Sequence, residues 1–78
     1  MLLENVLRGH AAKQRIETLI IIEDTQICFM GQAAYFMKGY DDNITPIRNY
    51  LSKRIVKDST YKNGVLFIFI AKGTGATK

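Results

Sequence analysis

The second half of the chain carries most of the residues that could bind another molecule. Basic side chains stand there among tyrosines, and this combination can hold the phosphates of a nucleic acid while an aromatic ring stacks on a base. The candidate binding residues are Arg48, Tyr50, Lys53, Arg54, Lys57, Tyr61 and Lys62. The lysines also have a simpler interpretation, because charged residues along an exposed strand edge discourage edge-to-edge association. The sequence motifs typical of RNA- and DNA-binding domains do not accompany them.

Two residues of the first half have side chains that could take part in catalysis. His10 could act as a general base, but no carboxylate or nucleophile stands in a recognisable arrangement with it, and we interpret it as a core or boundary residue. Cys28 lies in an apolar segment with no basic residue within two positions, which favours a buried structural thiol over a reactive one. We therefore predict no catalytic residue and a protein that is not an enzyme.

The sequence offers little for a metal or a phosphate group. The pairs Glu23-Asp24 and Asp41-Asp42 are adjacent carboxylates without a calcium-loop pattern, and we interpret them as solvated turn residues. His10 and Cys28 are the only soft ligands, too few for a structural zinc site. Gly73-Thr74-Gly75 lacks the helix that must follow a phosphate-binding loop. No metal and no cofactor are predicted.

The first half of the chain predicts a helix followed by a hairpin. "LLENVLRGHAAKQ" (2–14) has the apolar spacing of an amphipathic helix, with Gly9 able to bend or end it. Residues 15–22 and 26–30 predict two strands joined by a polar turn, and Gly31 is expected to end the second strand. The following "QAAYFMKGY" (32–40) is consistent with either a short helix or an irregular apolar segment.

The second half predicts a helix and a second hairpin. "TPIRNYLSKR" (45–54) begins with Thr45 as the cap and Pro46 at the first helical position, and Ile47, Tyr50 and Leu51 share one face. Strands are predicted at 55–61 and 65–71. Asn63-Gly64 between them favours a two-residue turn in which both residues have positive φ. That turn would pair four couples of residues: Lys62 with Val65, Tyr61 with Leu66, Ser59 with Ile68, and Lys57 with Ile70.

The last strand is apolar on both of its faces. Val65, Phe67 and Phe69 would point one way, and "LFIFI" places Leu66, Ile68 and Ile70 on the other. Such a strand belongs in the centre of a sheet, and so does "LIII" (19–22). The simplest sheet is then antiparallel in the spatial order 2-1-4-3, and other strand orders stay open. Helices can cover one face and make Phe67 and Phe69 core residues. The other face needs cover from "AAYFM" (33–37), from a second copy or from another protein.

The length of the chain and these elements together predict one small α+β domain: a four-stranded, mainly antiparallel sheet of two hairpins, with two or three short helices. Of the 78 residues, 1–72 are expected to form this domain and 73–78 a flexible tail. One cysteine excludes an internal disulfide, and together with the lack of a secretory signal it predicts a cytoplasmic protein. The net charge is +4, and residues 46–78 hold seven basic residues against one acidic residue. No membrane association is predicted.

The predicted elements of residues 16–71 run from the strand that ends at Met30-Gly31, through "TPIRNYL", to "KNGVLFIFI". This order of elements resembles that of very short proteins of bacteriophages and mobile elements. The resemblance implies a non-enzymatic protein-interaction module, such as a phage-encoded inhibitor of a host protein like a CRISPR nuclease, acting in the host cytoplasm. It assigns no site residue. Anti-CRISPR proteins that imitate DNA are acidic, whereas this chain is basic. The alternative function is nucleic-acid binding through the basic C-terminal half. The expected partner is another protein or a second copy of the chain.

Overall fold

The computed structural model describes residues 1–38 and 45–72, which form three helices and one four-stranded sheet. The predicted α+β class with a mainly antiparallel sheet is confirmed. The predicted tail at 73–78 lies outside the described residues. The elements, in chain order, are α1 Leu3–Lys13, β1 Thr18–Glu23, β2 Gln26–Gln32, α2 Ala33–Lys38, α3 Thr45–Ser52, β3 Val56–Lys62 and β4 Val65–Ile70.

The strand order is β2-β1-β4-β3, as predicted, with the two most apolar strands in the centre. The direction of the central pair differs from the prediction, since β1 and β4 run parallel, with Leu19 beside Leu66 and Ile21 beside Ile68. A tight turn forces the two strands of a hairpin to be antiparallel. No such turn joins β1 to β4, so their relative direction depends on the path that the chain takes through the helices between them.

The second hairpin has the predicted turn. Asn63 has φ 51° and Gly64 φ 83°, so both central residues occupy the left-handed region. The predicted pairs of Lys62 with Val65, Tyr61 with Leu66 and Ser59 with Ile68 are confirmed. The fourth pair is wrong: Ile70 lies beside Val56, because the register shifts between Val56 and Asp58 and leaves Lys57 as an extra residue on β3.

The first hairpin runs further than its sequence predicts. Gly31 does not end β2, because it pairs with Leu19 inside the strand, which continues to Gln32. A Cβ atom at Gly31 would lie 3.3 Å from the ring of Phe29, so the glycine leaves room for that ring rather than stopping the strand. Between Ile21 and Ile22 the register also shifts, which leaves Cys28 without a partner residue of its own on β1.

All three helices contribute to one apolar core on a single face of the sheet. Phe36 of α2 packs against Phe29 of β2, with ring centroids 5.0 Å apart. Segment 33–37, which was predicted as helical or irregular, is helical. It does not cover the second face of the sheet, because Ala33 and Phe36 belong to this same core. The buried residues are Leu3, Leu7, Leu19, Ile21, Phe29, Ala33, Phe36, Leu51, Leu66, Ile68 and Ile70.

The two longer helices follow their predicted positions with one difference. In α1, Leu3 and Leu7 are buried, and Gly9 lies inside the helix, where an added Cβ atom would point into open space. Among the described side chains of α3, Leu51 is the buried one, whereas Ile47 and Tyr50, expected on the same face, are 40% and 58% exposed. The core residue of this helix thus lies near its C-terminal end. The side chain of Thr45, the predicted cap, lies outside the described residues.

Candidate interaction surface

The face of the sheet opposite the helices carries three rows of side chains, each crossing all four strands. Successive side chains of a strand point to opposite faces. Since Leu19, Ile21, Leu66 and Ile68 point into the core, their neighbours point away from it. The three rows, ordered from β2 to β3, are Gln32, Thr18, Val65 and Lys62; Met30, Ile20, Phe67 and Thr60; and Ile27, Ile22, Phe69 and Asp58. We call this surface the open face.

The middle of the open face is apolar and in contact with solvent. Met30 is 64% exposed and Ile27 58% exposed, although both stand in a strand. The apolar residues of the two central strands are half-buried by their neighbours: Ile20, Ile22, Val65, Phe67 and Phe69. None of them belongs to the core, and no helix among the described residues covers them. Monomeric proteins seldom expose a contiguous apolar patch of more than a few hundred Å².

The prediction that Phe67 and Phe69 are core residues is wrong, because Leu66, Ile68 and Ile70 of the same strand face the helices instead. Both rows of β4 are equally apolar, so the strand alone could not indicate which row would be covered. Ile27 and Met30 were not predicted as surface-forming residues at all. The signal that could have found them is the predicted strand order 2-1-4-3, which already places β2 at the edge of the sheet.

One side of the open face is polar and carries both signs of charge. Strand β3 contributes Lys62 at one end of this face, Thr60 in the middle and Asp58 at the other end. All three are exposed. The carboxylate of Asp58 accepts a hydrogen bond from the backbone N–H of Ser59 at 2.8 Å, which restrains its position. The face therefore has an apolar centre and a border on which β3 places a cation in one outer row and an anion in the other.

The predicted basic binding residues do not meet at one place. Lys57 and Lys62 lie at opposite ends of β3, while Lys53 lies in the turn that follows α3. Arg48 lies among the helices, where its Nη1 donates to the backbone oxygen of Met37 at 3.4 Å. Tyr61, on the covered side of the sheet, donates its hydroxyl proton to the backbone oxygen of Arg15 at 2.7 Å.

Arg54 and Tyr50 are the two predicted binding residues that the structure does bring together. The guanidinium carbon of Arg54 lies 5.4 Å from the centre of the Tyr50 ring, and its Nη1 donates to the tyrosine hydroxyl at 2.9 Å. The Nη2 of Arg54 donates to the carboxylate of Glu23 at 3.0 Å and to the backbone oxygen of Ala71 at 2.7 Å. The hydrogen bond to Glu23 raises the pKa of Arg54, against the opposing effect of burial. This guanidinium connects the ends of β1 and β4 with α3.

A groove of about 320 Å³ separates the three helices. Glu4 and Arg8 of α1, Met37 of α2 and Arg48 of α3 line it, together with apolar atoms of Phe36. The buried Nε of Arg48 has no hydrogen-bond partner among the described residues. Among the described residues that line it, the groove joins one carboxylate with two guanidinium groups, so its charge is mixed rather than purely positive.

His10 forms a hydrogen-bonded chain that the sequence did not predict. Its Nε2 lies 3.0 Å from the hydroxyl of Ser59, a residue 49 positions away, and its Nδ1 accepts a hydrogen bond from the side-chain amide of Gln14 at 2.9 Å. With Nδ1 as the acceptor, the ring proton is on Nε2, and the imidazole donates to the serine oxygen. A general base needs the opposite arrangement, in which Nε2 accepts the serine proton. The chain links α1 to β3.

Cys28 lies beside the Glu23 carboxylate. Its Sγ donates to Oε1 of Glu23 at 3.8 Å, and the thiol is half-buried. Burial raises the pKa of Cys28, and the negative charge of Glu23 raises it further. A thiol with a raised pKa has little thiolate at neutral pH and is a weak nucleophile.

Among residues 1–38 and 45–72, no three metal-ligating side chains cluster together. The interpretation of Glu23 as a solvated turn residue is wrong, because Glu23 ends β1 and its carboxylate is bound to Arg54. Asp24 is an exposed turn residue, as predicted. Asp41-Asp42 and Gly73-Thr74-Gly75 lie outside the described residues. Over that same part of the chain, no helix has the length and apolar character required to span a membrane.

Comparisons of this chain with protein-family models, with curated proteins and with solved structures found no match.

Proposed function

We propose that this protein is a non-enzymatic interaction module that binds another protein chain through the open face. The observation that carries the proposal is the apolar centre of that face, formed by Ile20, Ile22, Phe67 and Phe69 with the exposed Met30 and Ile27 beside it. Covering these side chains removes apolar surface from water and is favourable at roughly 25 cal/mol per Å² before the costs of association are subtracted.

The composition of the face supports a protein partner. Protein interfaces have an apolar centre, enriched in aromatic residues and methionine, and a polar rim. The open face has Phe67 and Phe69 at its centre, Met30 at one side, and the charged or polar side chains of β3 at the other. Binding of a nucleic acid needs a surface with clustered positive charge, and the apolar part of the open face carries no basic side chain.

The resemblance to short proteins of bacteriophages and mobile elements extends this proposal to an inhibitor of a host protein, such as a CRISPR nuclease, in the host cytoplasm. In that role the protein would act by occupying a surface of its target.

Site-specific photo-crosslinking tests the proposal. A photoreactive phenylalanine at position 67 lies in the centre of the open face, and the same group at position 35 lies on the exposed surface of α2 as the matched control. We expect crosslinked protein products from position 67 that position 35 does not give. Absent crosslinking at position 67, or the same products in the same yield from both positions, would contradict the proposal. Mass spectrometry of each product identifies the partner.

A further inference from the structure

We propose that a second copy of this chain covers the open face, and that the two copies are related by a two-fold axis that crosses the strands. This inference rests on the proposed function, since it names the occupant of the same surface. A homodimer of this kind is isologous, so the open face must be complementary to itself. The residues of the three rows show which way of stacking two aligned sheets makes the open face complementary to itself.

Two sheets that stack with nearly aligned strands can be related by an in-plane axis along the strands or by one across them. An axis along the strands places β3 over β2 of the second copy. Lys62 would then lie over Gln32, and Asp58 over Ile27. That arrangement buries a carboxylate against an apolar side chain, which costs free energy because nothing compensates its charge.

An axis across the strands keeps each strand over its own copy in the reverse direction. Lys62 then lies over Asp58 of the second copy, and Asp58 over Lys62 of the second copy, so the symmetry forms the same pair of opposite charges twice. Both side chains stand at the border of the face and are exposed in the single chain, where a pair remains partly hydrated. This axis is self-complementary because β3 places one cation and one anion in the two outer rows of the open face, which the axis exchanges.

The apolar residues of the middle row also match themselves about this axis, whereas Ile22 faces Thr18 and Ile27 faces Gln32 of the second copy. The middle row lies on the axis, so Phe67, Ile20 and Met30 each meet the same residue of the second copy. Val65 faces Phe69 of the second copy, a small side chain against a large one. Aromatic side chains that meet at about 4.5–7 Å between ring centres prefer offset or tilted geometries, which two twisted sheets permit.

The size of the open face predicts a dimer that forms reversibly. Four strands about 4.8 Å apart, with six residues rising about 3.3 Å each, give a planar footprint on the order of 400 Å² per copy. Stable interfaces bury about 800 Å² per partner. We therefore expect a monomer–dimer equilibrium that depends on concentration, rather than a permanent dimer.

Sedimentation equilibrium of the purified chain from about 1 μM to about 1 mM covers the dissociation constants expected for such a dimer. Lys62→Glu places two like-charged pairs in the proposed interface, and Asp58→Lys does the same with positive charge. We expect each single substitution to weaken dimerisation about tenfold. The double variant with both substitutions exchanges the charges and restores the opposite-charge pairs, so its dissociation constant should return to within about threefold of the original.

Lys53→Glu is the matched control, because it makes the same change of charge in an exposed residue that lies off the open face. We expect it to leave the dissociation constant unchanged. A thermal unfolding curve for every variant separates a loss of association from a loss of fold. Three results would overturn the inference: a monomer at every concentration, single reversals without effect, or a double variant as weak as the singles.

The crosslinks at position 67 separate this inference from the proposed function. A product made of two copies of the chain supports both. A product with a different protein, from a chain that remains monomeric at about 1 mM, retains the proposed function and rejects the second copy as the occupant. Absence of any product at position 67, with a monomeric chain, rejects both.

Discussion

The guanidinium of Arg54 lies 3.0 Å from the carboxylate of Glu23, and this ion pair joins the turn after α3 to the end of β1. The side chain of Arg54 is only 10% exposed and that of Glu23 25% exposed. The same Nη2 also donates to the backbone oxygen of Ala71 just beyond β4. A residue predicted as a candidate for binding nucleic acid thus has a structural role, at the point where the two central strands end.

Arg54→Ala should lower the free energy of unfolding by about 2 kcal/mol, because it removes the cation from a largely buried pair and leaves the Ala71 oxygen without this donor. Lys53→Ala, at the adjacent exposed position, should change it by less than about 0.5 kcal/mol. Urea denaturation followed by circular dichroism measures both. Equal effects of the two substitutions would show that the ion pair does not contribute to stability.

Substitutions on the two faces of β4 should differ in cost. Ile68 is fully buried among the helices, so Ile68→Ala should cost about 3 kcal/mol through lost packing and a cavity. Phe67 is half-buried on the open face, so Phe67→Ala should cost about 1 kcal/mol in the monomer. Denaturation at a concentration where sedimentation shows a monomer excludes a contribution from association. The reverse order of the two costs would mean that the open face is the covered one.

Cys28 should react slowly with a thiol reagent near neutral pH. Its pKa is raised by burial and by Glu23, so the thiolate forms at a higher pH than in an exposed cysteine, and reactivity should increase only above the ordinary pKa. Glu23→Gln removes the negative charge and should lower the pH at which the rate increases. The rate of iodoacetamide alkylation against pH, in the folded protein, measures the shift. A Cys28 that reacts at neutral pH as fast as a free cysteine contradicts this prediction.

A raised thiol pKa in the folded state also has a consequence for stability. Above the ordinary pKa, the unfolded chain loses the thiol proton while the folded chain retains it, so the folded state binds more protons and its stability decreases as pH rises. Cys28→Ser should reduce this decrease on the alkaline side and leave the pH dependence near neutrality unchanged.

Nucleic-acid binding should be weak and unaffected by sequence. Arg54 is occupied by Glu23 and Ala71, and Lys57 and Lys62 are at opposite ends of β3, so few phosphates can be contacted together. Fluorescence anisotropy with a generic duplex and a single strand at about 0.15 M ionic strength measures the affinity and its salt dependence. Tight binding that falls steeply with salt, and that Lys53→Glu with Lys57→Glu abolishes, would favour the nucleic-acid function instead.

Local features of the sequence determined most of the secondary structure. Asn63-Gly64 specified its turn because few residues tolerate positive φ at two successive positions. The doubly apolar β1 and β4 specified their central places, because such strands lose the most by standing at an edge. The helical spacing of Leu3 and Leu7 specified the buried side of α1.

Only the tertiary structure decided which residues far apart in the sequence lie next to one another. The parallel direction of β1 and β4, the contact of His10 with Ser59 and the ion pair of Arg54 with Glu23 all depend on where the helices return the chain to the sheet. The burial of the row with Leu66 and Ile68, rather than the row with Phe67 and Phe69, also depends on where the helices pack. Both rows are equally apolar, so the hydrophobic effect, which has no direction, cannot select between them from within the strand. The packing of α1, α2 and α3 on one face makes that selection, and the open face results from it.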